Sequence, residues 1–266
     1  WYLDSLEPLP DNVPIERDFD PLRELIDRAH ERGIEVHAFV VIGAIWNSLT
    51  PPADPTHVFN RHGFDPATGR PFDGRANWLT RTLLADGTAT SAGGYRFGND
   101  FWIDLGHPDA ADYTLQVLLR LLTAYDIAGL HLDRIRYPEI AVSGQTPATG
   151  ASVGYNPTSV ERFNRAMGRP ADAVPDPGDA AWSQWRRDQV TAFVRRVYLS
   201  VMAIRPRVKV SAAVVTFGAG PADPAAWVQM EPYWRGSPGR AGPPGRGRPP
   251  PLGRRGPQTP PTAPPP

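Results

Sequence analysis

Five side chains that could take part in chemistry lie within seven residues of one another, directly after a short apolar stretch. They are His131, Asp133, Arg134, Arg136 and Tyr137. Together an imidazole, a carboxylate, two guanidinium groups and a phenol can bind a polar substrate, stabilise charge and transfer protons. A single Asp after a strand is often only a helix N-cap, and a single His is often a packed core residue. The convergence of all five groups favours a functional site.

The residues that lead into this cluster predict a short buried strand. In a strand, alternate residues share a face, so Gly129, His131 and Asp133 lie on one side and Leu130 and Leu132 on the other. The two leucines suit packing under helices. The opposite face suits the interior of a parallel barrel, with Asp133 at its carboxyl-end rim. That rim carries the chemistry of such barrels.

The elements around this strand alternate between helix and strand. Helices are predicted from Asp20 to Gly33 and over 108–125, 156–167 and 179–204, and the other strands over 34–42 and 208–215. The order predicts an α/β fold with parallel strands, either a doubly wound sheet or a (β/α)8 barrel. No Gly-x-Gly-x-x-Gly turn or Walker loop follows a predicted strand, so nucleotide binding loses its main support.

A long excursion, predicted to be loop-rich, separates the first strand from the helix at 108–125. It covers residues 43–103 and contains Trp46, Trp78, Tyr95 and Trp102. Its aromatic content argues against disorder. Two interpretations are open, since the aromatic rings could form a saccharide-binding wall or could pack against one another inside the loop.

Composition restricts the possible partners. The chain of 266 residues has no cysteine, which excludes disulfides and thiolate metal sites. Six arginines lie beyond residue 234, which leaves 22 basic against 28 acidic residues in 1–234. An acidic body argues against nucleic acid as a partner. No apolar run approaches the roughly 20 residues of a membrane span.

The last 32 residues differ from the rest of the chain. Residues 235–266 contain 12 Pro, 7 Gly and 6 Arg, a composition that cannot bury a core and predicts disorder. One interpretation is a Pro/Arg-rich interaction tail. The other is the out-of-frame reading of a GC-rich gene. The predicted domains are therefore 1–234 and a disordered tail over 235–266.

Four segments of residues 1–234 resemble the glycosyl hydrolase-10-like family of bacterial proteins, formerly a domain of unknown function. They are 5–8, 19–22 running into 37–39, 103–108, and 129–133 with 136–138. The sequence departs from the family at Leu105, where Pro is usual, and at Ala128, where an acid is common. The resemblance implies a (β/α)8 glycosidase that is secreted or associated with the cell envelope.

The resemblance also implies that this chain holds only part of the barrel. The family's first two strands would lie before Trp1, and its sixth to eighth would lie after Trp234. We therefore expect an incomplete barrel of strands three to five, with open edges that promote aggregation. Consistent with this, the sequence begins with Trp1 and shows no signal peptide.

The implied activity is hydrolysis of O-glycosidic bonds in a poly- or oligosaccharide by two carboxylates, without a cofactor. Asp133 is the expected nucleophile or charge stabiliser, kept ionised by Arg134 or Arg136. The acid partner is expected among Glu139, Asp104 and Glu7. The predicted substrate-binding residues are His37, Trp46, Trp102, His131, Arg134, Arg136 and Tyr137.

Two other functions are compatible with the sequence. One is a non-catalytic saccharide-binding barrel or inactive fragment, in which Asp133 only orients the sugar. The other, less favoured, is a metal-dependent hydrolase, because imidazole and carboxylate are suitable metal ligands. Its ligands would come from His37, His107, His131 and Asp133, although no tight two-histidine spacing is present.

Overall fold

The computed structural model describes residues 5–8, 16, 19–83, 94–138 and 152–214. The predicted disordered tail, the last part of the predicted third strand and Glu139 lie outside the described residues. In chain order the elements are α1 (Pro21–His30), β1 (His37–Val41), β2 (Ala44–Trp46), α2 (Val58–His62), β3 (Phe64–Asp65), β4 (Arg70–Pro71), a 3-10 turn (Gly74–Ala76), β5 (Thr82–Leu83), β6 (Arg96–Phe97), β7 (Asp100–Trp102), α3 (Pro108–Ala124), β8 (Gly129–Asp133), β9 (Ser152–Val153), α4 (Pro157–Ala166), α5 (Ala180–Ile204) and β10 (Lys209–Ala212).

The helix starts follow the capping residues of the sequence. Asp20 Oδ1 accepts hydrogen bonds from the first backbone amides of α1, and Asn156 and Asp179 do the same for α4 and α5. Proline occupies the first turn of α1, α3 and α4, where its missing amide hydrogen has no consequence. The predicted positions of all four long helices are confirmed.

Three parallel strands form the central sheet in the order β1-β8-β10. Phe39, His131 and Ser211 are register partners at its middle, and Val41 is the partner of Asp133 at its carboxyl end. The predicted α/β class and parallel pairing are confirmed. The strands are shorter than the periodic stretches that predicted them.

One face of the central sheet is buried and the other is open. Leu130 and Leu132 are fully buried in a core that α1, α3 and α5 complete with residues such as Ile26, Leu118 and Val197. On the opposite face Phe39 is 63% exposed and Val41 is 41% exposed. The predicted division of Gly129, His131 and Asp133 from the two leucines is therefore confirmed.

The excursion between β1 and α3 is more ordered than its loop-rich sequence predicts. Its described part holds α2, a three-stranded antiparallel sheet of order β2-β7-β6 and the β3-β4 hairpin, while β5 pairs with β9. Phe59, Leu79, Tyr95 and Phe101 form a separate small core within it. Local periodicity could not predict these strands, because they depend on pairings such as that of Ala44 with Trp102.

The junction between β1 and β2 requires a residue without a side chain. A Cβ added at Gly43 would lie 2.3 Å from Cε3 of Trp102, and Ile103 donates a backbone hydrogen bond to the Gly43 carbonyl. The indole therefore packs directly against the backbone at the carboxyl end of β1.

We predict that Gly43→Ala lowers the free energy of unfolding by about 1–3 kcal/mol, because the new methyl group overpacks the Trp102 site. Chemical denaturation measures this change. In the double variant Gly43→Ala/Trp102→Leu the loss should be smaller than the sum of the two single losses. Additive losses would show that the contact with Trp102 is not the cause.

Candidate active site

Asp133 is the last residue of the central strand of the sheet. Its carbonyl accepts a hydrogen bond from the Ile42 amide, and the Leu132 carbonyl accepts one from the Ala213 amide, so the strand end is held on both sides. The Asp133 side chain is half-buried. In the part of the chain that the structure describes, its carboxylate makes no hydrogen bond or ion pair.

Arg134, the residue after the strand, pairs with the carboxylate of Asp100. It is the one described non-glycine residue with a left-handed backbone, at φ 50°, and this turns the chain away from the strand direction. Its Nη1 donates to Asp100 Oδ2 at 2.8 Å. Asp100, from the β6-β7 hairpin, therefore binds the Arg134 guanidinium, and the expectation that Arg134 or Arg136 keeps Asp133 ionised stays a prediction.

Trp102 lies beneath the two arginines that follow the strand. The Cζ atoms of Arg134 and Arg136 lie 5.6 and 5.7 Å from its ring, and Gly43 packs on the same indole. Trp102 is only 4% exposed. This burial favours internal packing, in which the ring supports Arg134 and Arg136 through cation–π contacts. The predicted role of Trp102 in substrate binding stays a prediction.

Trp46, the other predicted aromatic binding residue, is half-buried in β2. Its Nε1 donates to the Thr50 carbonyl at 2.9 Å, and its ring meets His57 edge-on with centroids 5.3 Å apart. These contacts favour internal packing of the excursion over a free stacking surface. The predicted role of Trp46 in substrate binding stays a prediction.

His131 lies on the open face, two residues before Asp133. Its Nδ1 is hydrogen-bonded to Ser211 Oγ at 2.9 Å, and its ring stacks on Phe39 with centroids 5.3 Å apart. The sequence reasoning missed Phe39 and Ser211. Both occupy the middle of predicted strands, so alignment of the three strands by their midpoints could have found them.

His37 shares this face but lies at the other end of it. Its ring covers Gly129, where an added Cβ would be 2.3 Å from Nδ1, and Nε2 is 3.3 Å from Glu35 Oε2. Hydrogen bonds from Lys209 and His37 lower the pKa of Glu35. Four residues of strand, about 13 Å, separate this group from Asp133. The structure therefore does not bring His37 together with the predicted catalytic residue.

Asp104 is fully buried and joins several elements. Its Oδ1 accepts hydrogen bonds from the Gly106 amide at 2.8 Å, the Ser159 hydroxyl at 3.0 Å and the Tyr137 hydroxyl at 3.2 Å. Burial raises the pKa of Asp104 against the opposing effect of these donors. Burial and the nearby Asp104 also raise the pKa of Tyr137 well above its usual value. Asp104 thus holds the chain after β8 through Tyr137.

Glu7 and Glu139 are the other two candidates for the catalytic acid. Glu7 accepts hydrogen bonds from the Val58 amide at 3.1 Å and from the Tyr113 hydroxyl, and His57 Nε2 lies 3.8 Å from its carboxylate. Glu139 lies outside the described residues. Neither Asp104 nor Glu7 is bonded to the Asp133 side chain, so the identity of the acid stays a prediction.

The four residues of the metal-dependent alternative do not form one site. His107 is fully buried, its Nε2 is 3.0 Å from the Arg75 carbonyl, and its Nδ1 accepts from the Ala110 amide as the cap of α3. Burial lowers the pKa of His107. Among the described residues no three His, Asp or Glu side chains lie close enough to hold a metal ion.

The chain belongs to the family described as Glycosyl hydrolase-like 10, whose sequence model matches residues 6–229. The predicted family resemblance is confirmed. No helix within the described ranges has the length and apolar character needed to cross a membrane.

Relatives of this chain are much longer than it is. Glycosyl hydrolase YngK of Bacillus subtilis (strain 168) is 22% identical over 191 residues, which cover 72% of this chain and 29% of YngK. Glycosyl hydrolase DigH of Escherichia coli (strain K12) is 22% identical over 204 residues, which cover 77% of this chain and 36% of DigH. The chain therefore spans about a third of the length of the curated relatives it matches.

Solved structures show weaker likenesses. Alpha-L-fucosidase isoenzyme 2 from Paenibacillus thiaminolyticus has a TM-score of 0.42 and 19% identity, covering 78% of this chain and 25% of that one. A hypothetical protein from Ruminiclostridium thermocellum has a TM-score of 0.39 and 13% identity, covering 79% and 78%. At these TM-scores the likenesses are too weak to define the fold.

We predict that Asp104→Asn changes how stability depends on pH. Because the folded state raises the pKa of Asp104, the native protein binds a proton that the unfolded chain loses above about pH 4. That contribution to stability is present below the unfolded pKa and is lost as the pH rises. The stability of the asparagine variant relative to wild type should therefore increase from pH 4 to pH 7 in urea unfolding.

Asp172→Asn is the matched control, because it makes the same change from carboxylate to amide at an exposed position. A stability difference between Asp104→Asn and wild type that is constant with pH would contradict the assigned direction of the shift.

We predict that two variants that remove the Arg134 side chain differ in their free energy of unfolding. Arg134→Gly and Arg134→Ala both remove the ion pair with Asp100, but only glycine tolerates the left-handed backbone without cost. The alanine variant should be less stable than the glycine variant by about 1–2 kcal/mol. Equal midpoints in denaturant titrations would contradict the left-handed conformation at this position.

Proposed function

We propose that this chain forms the catalytic part of a glycoside hydrolase that cleaves O-glycosidic bonds of a poly- or oligosaccharide. The observation that carries the proposal is the Asp133 carboxylate, which pairs with no described residue at the carboxyl end of a parallel strand, in a chain of a glycosyl hydrolase-like family. A carboxylate in that position can approach the anomeric carbon or stabilise charge on it.

We also propose that β1, β8 and β10 are strands three to five of a (β/α)8 barrel. Parallel sheets are normally covered on both faces, and the helices that the structure describes cover only one. The open face carries Phe39, His131 and Asp133, which would then point to the barrel axis. The outer edges of β1 and β10 pair with no other described strand, which leaves both available to further strands.

In the proposed mechanism Asp133 is the nucleophile or the charge-stabilising carboxylate, and a second carboxylic acid protonates the leaving oxygen. Glu139 is our preferred proton donor, because it follows Asp133 by only six residues in the sequence. Asp104 is assigned a positioning role, since it is fully buried and bonded to Tyr137. Arg136, half-buried over Trp102, is proposed to contact the substrate, whereas Tyr137 is buried and bonded to Asp104.

A second candidate function is saccharide binding without turnover by the 266-residue chain alone. The 63% exposure of Phe39 favours it, because the open face offers a binding surface that does not depend on a second catalytic carboxylate. Binding of oligosaccharide without release of reducing ends would distinguish this function from hydrolysis.

We predict that changing the aspartate corresponding to Asp133 to asparagine in a full-length family member lowers kcat by about a thousandfold or more, as loss of a catalytic nucleophile or charge stabiliser does. Release of p-nitrophenol from a panel of p-nitrophenyl glycosides measures this change. The control is the position corresponding to Asp126, an exposed acid just before the same strand. Unchanged turnover in the Asp133 variant would remove this residue from the mechanism.

A further inference from the structure

A row of three side chains crosses the open face of the central sheet, two residues before Asp133 along the strand. His131 Nδ1 and Ser211 Oγ lie 2.9 Å apart, because β8 and β10 pair in register at this position. Phe39 is the partner of His131 on β1. Its ring is nearly parallel to the imidazole, with an angle of 19° between the planes.

The imidazole of His131 is held on two sides and unbonded on a third. Stacking on Phe39 fixes the plane of the ring, and the bond to Ser211 fixes its rotation in that plane. Nε2 makes no hydrogen bond to any residue that the structure describes. An imidazole nitrogen is a hydrogen-bond donor or acceptor according to its tautomer, so Nε2 is available to a ligand.

Packing alone does not explain these residue types. Interior layers of parallel barrels are dominated by branched apolar side chains, whereas this row combines an aromatic ring, an imidazole and a hydroxyl. Phe39 is largely exposed and His131 is half-buried. An apolar ring beside polar groups that fix orientation is typical of ligand-binding surfaces, and it matches the apolar faces and hydroxyl edges of a sugar.

We propose that Ser211 and Phe39 are positioning residues that hold His131 so that its Nε2 hydrogen-bonds a hydroxyl of the saccharide beside Asp133. Two residues of strand, about 7 Å, separate His131 from Asp133 on the same face, which is within the length of one or two sugar rings. The occupant of the open face is therefore an oligosaccharide. This inference rests on the proposed function, because it places the sugar at the same strand ends.

The test measures dissociation constants of the 266-residue chain for malto-, cello- and xylo-oligosaccharides by titration calorimetry. Ser211→Ala should weaken binding about two- to tenfold, which is the effect of one hydrogen bond, and Ser211→Thr should restore it because threonine keeps the hydroxyl. In a His131→Ala background, Ser211→Ala should have no further effect. Lys209→Gln, at an exposed position of the same strand, should leave the affinity unchanged.

Phe39→Leu keeps an apolar side chain but removes the ring that stacks on His131. It therefore tests the positioning of the imidazole independently of Ser211, and it should weaken saccharide binding by a similar factor. Thermal melting monitored by circular dichroism checks that each variant folds. Independent effects of Ser211→Ala and His131→Ala, failure of Ser211→Thr to restore affinity, or absence of saccharide binding by the wild-type chain would overturn the inference.

The outcome is separable from that of the proposed function. Loss of turnover in the Asp133 variant together with unchanged affinity in the Ser211 variant would leave the hydrolase proposal in place and remove only the positioning role. Altered affinity in the Ser211 variant together with unchanged turnover in the Asp133 variant would leave a saccharide-binding face without the proposed nucleophile.

Discussion

The parallel register of the three central strands is the constraint on which the site depends. Leu130 and Leu132 are fully buried beneath the helices, and this fixes which face Gly129, His131 and Asp133 occupy. A slip of one residue would exchange the two faces. Asp133 would then lie unpaired in the helix-packed core, where burial of a charge without a partner is strongly unfavourable. The burial of Leu130 and Leu132 therefore both stabilises the sheet and orients the Asp133 carboxylate.

The excursion between β1 and α3 supports this strand end from outside the sheet. Asp100 binds Arg134, Trp102 packs under Arg134 and Arg136, and Asp104 accepts a hydrogen bond from Tyr137. These three supporting residues all lie within positions 100–104, on β7 and just after it. The segment that follows Asp133 is thus positioned by an antiparallel element that precedes it by about thirty residues, and its geometry should be sensitive to changes in that element.

Local sequence signals were sufficient for the parts of the fold that depend on local physics. Asp20, Asn156 and Asp179 marked helix starts because capping involves residues two or three positions apart. The strand faces followed from alternation. Contacts across long sequence separations could not be predicted in this way. The pairing of Arg134 with Asp100, the burial of Trp102 and the contact of His107 Nε2 with the Arg75 carbonyl each depend on chain segments that only tertiary folding brings together.

The most direct test of this account is a crystal structure of a full-length family member with a bound oligosaccharide. We predict that the sugar lies at the carboxyl ends of the strands corresponding to β1, β8 and β10, with a hydroxyl or the anomeric carbon next to the aspartate that corresponds to Asp133. A sugar bound instead at the amino ends, in the groove lined by residues corresponding to His30, Glu35 and Arg207, would contradict it.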